Sequence, residues 1–500
     1  MTDATDPADL GAREARRLIA RRRLSSVELA QACIARIERL DHAVNAVVAR
    51  DFDGLLAGAR SADADVAAGR TLGPLHGLPL AIKDMNDVAG LPTTYGSEIF
   101  RDNVPDRDDA LVAGLRSAGA LPLGKANNPE WSAGANTRNR VYGTTANPYD
   151  VTRSCGGSSG GSAVALACGY APLASGSDLG GSLRTPAAYC GVVGFRPSFG
   201  VVPGPTRATA LLPQSTAGPM ARSVGDCALM LSAMAAPNRD DPFTTIVRGR
   251  TAWTSEDFAS LTPCDTGSLR VAVTEDFGFA PVSRATRDVF RRVVSRLSPV
   301  FTKLDERSPD CADADRIFAV LRATMFLATH APHVDATPHL VGPNVTDNVS
   351  EGRGYEAEDV ARALQAQGAY HRRWQAFFET CDLLISPAVT VQPRDWHEPY
   401  PTQIDGQPMQ SYYHWLALAY ASTIPGHPSI VLPCGRDADG LPFGIQLVGR
   451  RHGDAALLAI AAELEDIIAG DSDLAPKRPD LDALAASSPL ADADAFMPVD

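Results

Sequence analysis

The sequence predicts an α/β fold, and three observations carry that expectation. Short apolar runs recur along the chain at a length suited to buried strands, namely 78–82, 120–123, 173–175, 269–273, 382–385 and 429–432. Segments between the early runs carry helical patterning, as expected when strands and helices alternate. Glycine-rich backbone concentrates in one span, 156–182, directly around two of these transitions.

The elements follow in order. Ser25 and Glu28 have capping-box spacing, and Leu29, Cys33, Ile34, Ile37 and Leu40 then fall on one helical stripe. An Asp/Ala-rich helical piece runs to about Gly69. Leu78-Pro79-Leu80-Ala81-Ile82 is an apolar strand that ends at Lys83-Asp84. Residues 109–119 read as a helix, and Ala120 to Leu123 as a strand leading into Gly124-Lys125. Ser162 to Cys168 reads as a helix starting straight after glycines, and Leu173 to Ser175 as a short strand. The last clear helix is Ala455 to Ile468. We expect one domain over 1–480, a less regular substrate-binding subdomain around 235–410, and a mobile Pro/Ala/Asp-rich tail over 481–500.

Bulk properties exclude several function classes. The 500 residues carry 46 basic and 59 acidic side chains, a formal charge of −13, which argues against nucleic acid as a partner. Nine cysteines form an odd set without a C-x-x-C pair, the pattern of reduced thiols rather than disulfides or a zinc site. The N-terminal stretch is acidic and has no apolar h-region, and no apolar run reaches the ~18 residues of a membrane span. The expectation is a cytoplasmic protein with no membrane partner. Nothing in the sequence sets an oligomeric state.

The chemistry lies in RSCGGSSGGS and GSDLGGSLR, spanning Arg153 to Arg184. Glycine lets backbone approach a reacting group closely and bare its N–H donors. A hydroxyl nucleophile needs an activating base, and a developing oxyanion needs preorganised donors. Acyl transfer meets both needs. A phosphate loop fits poorly, because no G-K-[ST] follows the glycines. Gly156-Gly157-Ser158-Ser159-Gly160 also matches G-x-S-x-G, which would make Ser158 an esterase nucleophile but leaves the second motif and Lys83 unexplained. A lysine has a reference pKa near ~10.4, so service as a base near neutrality requires a fall of ~3, about 4 kcal/mol. Burial behind the apolar run at 78–82 would push Lys83 that way. Asp178 and Arg184 read as a buried ion pair bracing the loop, and Cys155 as a packed thiol.

On Gly156–Ser162, Gly176–Arg184 and Lys83-Asp84, the chain resembles the amidase signature family of serine hydrolases. The resemblance implies an α/β/α sandwich around a large mixed β-sheet. It places the nucleophile at Ser182, the proton relay at Ser158 on a cis peptide, and the ultimate base at Lys83. It also places an oxyanion hole at the N–H groups of Leu179, Gly180, Gly181 and Ser182, and a substrate contact at Ser132. No metal or cofactor is implied. The expected substrate is a small-molecule aryl or alkyl amide, with esters and carbamates (a urethanase activity) open to the same chemistry. The alternative is the glutaminase component of a tRNA-dependent amidotransferase. Eight of the sixteen Trp and Tyr residues fall between 370 and 420, as a pocket wall or as ordinary core.

Overall fold

The computed structural model describes residues 6–498. Eleven strands form one mixed sheet. Across it from one edge run Val47–Arg50, Leu121–Ala126, Pro79–Lys83, Leu173–Asp178, Thr216–Ala221 and Val193–Arg196. Ser429–Arg436, Pro442–Val448, Leu383–Pro387, Arg270–Val273 and Lys303–Glu306 complete it. Pairing is parallel on both sides of Pro79–Lys83 and of Arg270–Val273, and antiparallel elsewhere.

The two-residue period of a strand explains why both faces are covered. Leu80 and Ile82 enter one apolar core, while Ala81 between them enters another with Val164 and Leu166 of the helix Gly160–Ala167. Ile430 and Leu432 likewise oppose Val431. Leu383 and Ile385 oppose Leu384, which packs with Phe318 and Trp374. Continuous apolar runs therefore mark strands buried on both faces. The result is the expected α/β/α sandwich. The helix Ser26–Val44 begins at the capping box, where Ser25 Oγ accepts from the Glu28 N–H at 3.0 Å.

Two expectations about organisation need correction. The stretch 235–410 is not a less regular subdomain. It supplies Arg270–Val273, Lys303–Glu306 and Leu383–Pro387 to the central sheet, and two 23-residue helices, Ala314–Ala336 and Ala357–Glu379. Nor are residues 481–498 a loose tail. Leu481–Ala486 is a helix whose Leu484 is buried in the core shared with the helix Ser26–Val44, and Leu490 packs with Trp396 and Ala146. Residues 499–500 of the expected tail, and the first five of the chain, lie outside the described residues. No helix among the described residues is long and apolar enough to cross a membrane. All nine cysteines are free and eight are buried.

Candidate active site

The site forms where two neighbouring parallel strands end. Pro79–Lys83 and Leu173–Asp178 pair through Leu80–Leu173 and Ala81–Ala174, so their C-terminal ends emerge side by side. Such ends commonly carry the ligand crevice of α/β sheets. Lys83 closes the first strand and shares the parity of Ala81, which turns it to the face covered by the helix Gly160–Ala167. Its backbone N–H donates to Ser175 Oγ at 2.9 Å, tying the two strand ends together.

Lys83 is fully buried. Its Nζ lies 2.7 Å from Ser158 Oγ and 2.9 Å from Ser177 Oγ. Ser158 is also fully buried and follows a cis Gly157–Ser158 peptide. The next residue, Ser159, donates its N–H to the Ser182 carbonyl at 3.2 Å, so the two motifs are joined backbone to backbone. Ser182 sits between the strand Leu173–Asp178 and the helix Arg184–Cys190 and is partly accessible. The structure thus gathers Lys83, Ser158 and Ser182 into one locus.

Burial pushes Lys83 down from 10.5 to about 7, and the Asp178 charge opposes that only in part. A second buried lysine shows what Lys83 lacks. Lys125, on the adjacent strand, lies 3.3 Å from Asp84 Oδ1 and donates to Thr93 Oγ1 at 2.7 Å. Burial lowers Lys125 too, but Asp84 opposes it at contact distance. Among the described residues, Lys83 Nζ has only hydroxyl groups at that range. Of the two, Lys83 is the one suited to be neutral.

The loop 178–184 is fixed by charge. Asp178 Oδ1 accepts from the Gly181 N–H at 2.9 Å, and its Oδ2 from the Leu183 N–H at 3.0 Å. Arg184 grips the same carboxylate from Nε and Nη2 at 3.0 and 2.8 Å, and Arg196 lies 3.6 Å away. Burial alone would raise the Asp178 carboxyl, but the two guanidinium groups outweigh it and hold it well below the usual range. The Asp178–Arg184 pair is therefore a brace, as the sequence suggested. One consequence corrects the expected oxyanion set: the Gly181 N–H is engaged by Asp178. The N–H groups of Leu179, Gly180 and Ser182 meet no acceptor among the described residues. Gly181 has φ +106°, a backbone that favours glycine, and an added Cβ would lie 2.8 Å from Ala419 Cβ.

Ser132 adopts left-handed backbone, φ +60°, and its buried hydroxyl has no hydrogen-bond partner among the described residues. Its neighbours Trp131 and Ala133 pack with Leu179 of the loop 178–184. A cavity of about 260 Å³ opens alongside, lined by Ala133, Gly134, Asn136, Val345 and Tyr400 among others. Gly157 packs directly on the Ala135 backbone of that lining segment. Of the aromatic residues at 370–420, Tyr412, Tyr413 and Tyr420 join Phe318 near Gly180, whereas Tyr370 and Trp374 are interior packing. Cys155 is buried and pushed up to about 12, which suits a packed thiol. No group of three His, Cys, Asp or Glu among the described residues is placed to hold a metal.

Sequence reasoning missed Ser177, the second hydroxyl on Lys83. A signal existed: Ser175 and Ser177 stand two apart on a strand, hence on one face, beside the strand that ends in Lys83.

Fold and motifs together define a hydrolase of amide C–N bonds. Comparison with known proteins agrees: a family model described as Amidase matches residues 28–458. The chain is 33% identical to an acylamidase of Rhodococcus erythropolis, over 92% of this chain and 95% of that protein. It is 34% identical to the A component of the glutamyl-tRNA(Gln) amidotransferase of Anaeromyxobacter sp. (strain K), over 93% and 97% respectively. The fold matches the crystal structure of a bacterial aryl acylamidase of the amidase signature family with a TM-score of 0.84 and 24% identity, over 96% of this chain and 99% of that one. The chain belongs to the amidase family.

Proposed function

We propose that this protein is a stand-alone amidase that cleaves small aryl or alkyl amides through an acyl-enzyme on Ser182. The observation that carries the reading is the fully buried Lys83, pushed down to about 7, with Nζ 2.7 Å from Ser158 Oγ and no carboxylate in contact among the described residues. A lysine in that state is a usable base near neutrality.

Ser182 Oγ bonds to the substrate carbonyl carbon as its proton passes to Ser158 Oγ, and the Ser158 proton passes to neutral Lys83 Nζ. The free N–H groups of Leu179, Gly180 and Ser182 hold the oxyanion, with Gly181 anchoring the loop through Asp178. Collapse breaks the C–N bond, and the leaving amine takes a proton from Ser158, which Lys83 replenishes. Water then attacks the ester by the same relay, releasing the carboxylic acid and free Ser182. Each step is closed by Lys83 and two hydroxyl groups, with no metal or cofactor. Esters and carbamates share the acyl-enzyme route. Ser132 is assigned a substrate contact, a role supported by its buried hydroxyl, which has no hydrogen-bond partner among the described residues. The partner is a small amide rather than a nucleic acid or a membrane, and the setting cytoplasmic.

The test is release of 4-nitroaniline from acyl-4-nitroanilides by the purified chain, beside Ser182→Ala and Lys83→Ala. Turnover is expected in the parent, with losses on the order of 10²–10⁴-fold or more in the variants. Retention of most turnover by Ser182→Ala would overturn the assignment. A second reading, the glutaminase component of a tRNA-dependent amidotransferase, is favoured by the similarity to the Anaeromyxobacter amidotransferase. Ammonia release from glutamine, with no turnover of any anilide, would select it.

A further inference from the structure

We propose that Arg322 is a specificity residue that receives a carboxylate on the substrate, so that the preferred amides are anionic. The inference rests on the acyl-enzyme reading above and narrows its substrate class.

Four arginines are buried among the described residues: Arg36, Arg184, Arg196 and Arg322. Three of them face a carboxylate. Arg36 pairs with Asp6 and Asp9, and Arg184 and Arg196 share Asp178. Arg322, only 6% exposed, has no acidic side chain in ion-pair contact among the described residues. Nε donates to Asn348 Oδ1 at 3.2 Å and Nη2 to the Tyr412 hydroxyl, while Nη1 donates to no acceptor there. Four rings hold the guanidinium in place, Phe326 at 4.5 Å, Tyr412 at 5.3 Å, Tyr413 at 5.4 Å and Phe318 at 5.9 Å. Cation–π contacts fix such a charge without neutralising it. Burying a guanidinium without a counter-ion is costly, and a carboxylate is the planar, two-oxygen partner its fork fits.

Its position ties this charge to the reacting loop. Phe318, one turn earlier on the helix Ala314–Ala336, has its ring edge 3.2 Å from where a Cβ of Gly180 would stand. Phe326, one turn later, packs with Trp131, Ala133 and Leu179. Arg322 lies between the two on the same helix face, in the wall that meets Leu179 and Gly180. A carboxylate reaching Arg322 from an amide held at Ser182 would be desolvated and paired at once.

The experiment compares 4-nitroanilides of succinic, glutaric and adipic monoacids with those of the neutral acids of matching length. Acetyl-4-aminobenzoate against acetanilide covers an amine-side carboxylate. We expect the parent to favour at least one anionic member over its neutral match by tenfold or more in kcat/KM. Arg322→Met is expected to bring that ratio down to near unity, and Arg322→Lys to restore part of it. Calorimetric binding of glutaric acid mono-anilide to Ser182→Ala, with and without Arg322→Met, gives a readout free of turnover, with at least tenfold weaker binding expected in the double variant. Equal losses on charged and neutral substrates, or unchanged binding in the double variant, would overturn the role of Arg322 and leave the amidase reading intact. A parent that hydrolyses no anilide while binding still depends on Arg322 would overturn the amidase reading and leave the anion site.

Discussion

Lys83→Met is expected to abolish amide hydrolysis and, in the same protein, to raise stability. The two effects have one cause. Holding Lys83 at about 7 instead of 10.5 costs the folded state on the order of 4–5 kcal/mol at neutral pH, because the unfolded chain keeps the proton that the folded site rejects. The sign follows from proton binding: between about 7 and 10.5 the unfolded state binds more protons, so the parent gains stability as pH rises through that window. Methionine fills a similar volume without a titrating group and removes that dependence. Urea unfolding should therefore show Lys83→Met more stable than the parent at pH 7 by at least about 1 kcal/mol, with the margin shrinking toward pH ~10. A variant less stable than the parent at every pH would mean that Lys83 contributes to the fold through its hydrogen bonds more than it costs through burial.

Arg184→Met should have the opposite consequence, a large loss of stability. The Arg184 guanidinium is fully buried. Besides the two bonds to Asp178, it donates to the Ala419 carbonyl, Ser422 Oγ, Gln446 Oε1 and Thr423 Oγ1. Removing it leaves the Asp178 carboxylate buried with Arg196 at 3.6 Å as its nearest remaining cation. Breaking a buried pair by deleting one partner costs about 3–5 kcal/mol. The Asp178 contribution has its own pH signature. A carboxyl held well below its ordinary value stabilises fully above pH ~4 and is lost as pH falls further. Urea unfolding at pH 7 should show the full deficit, narrowing under acid. The Gly181 and Leu183 anchors move with Asp178, so the residual folded enzyme should also lose turnover. A deficit below about 1 kcal/mol would mean that Arg196 alone suffices as brace.

Much of the site was legible because glycine-serine backbone dictates its own geometry. The close spacing of Gly156–Ser162 and Gly176–Ser182 fits few structures, and Lys83 stood at the end of an unmistakable buried strand. Core strands such as Ser429–Arg436 were legible for the same reason, their apolar runs having two buried faces. Lys303–Glu306 was not: it is an edge strand, largely exposed, whose KLDE sequence shows no apolar pattern. Thr216–Ala221 was hidden by its own glycine and proline. Gly218 is needed there because a Cβ would meet the Phe195 carbonyl at 2.2 Å. Arg322 reads in sequence like any helical charge. Only the fold brings Asn348, Tyr412 and Tyr413 around it from distant segments and leaves the acidic side chains of the described residues out of contact. The loose tail was misread from composition, which reports polarity but not the buried Leu484 and Leu490 that dock it.

The most direct measurement is the rate at which a fluorophosphonate modifies the protein as a function of pH, with the modified residue located by mass spectrometry. If Lys83 is the base, Ser182 carries the label and the rate rises with pH through a midpoint near 7. The Lys83→Met variant then shows no such rise. A rate that stays flat across roughly pH 5 to 9, or a midpoint close to the ~10.4 of an ordinary lysine, would contradict that role for Lys83.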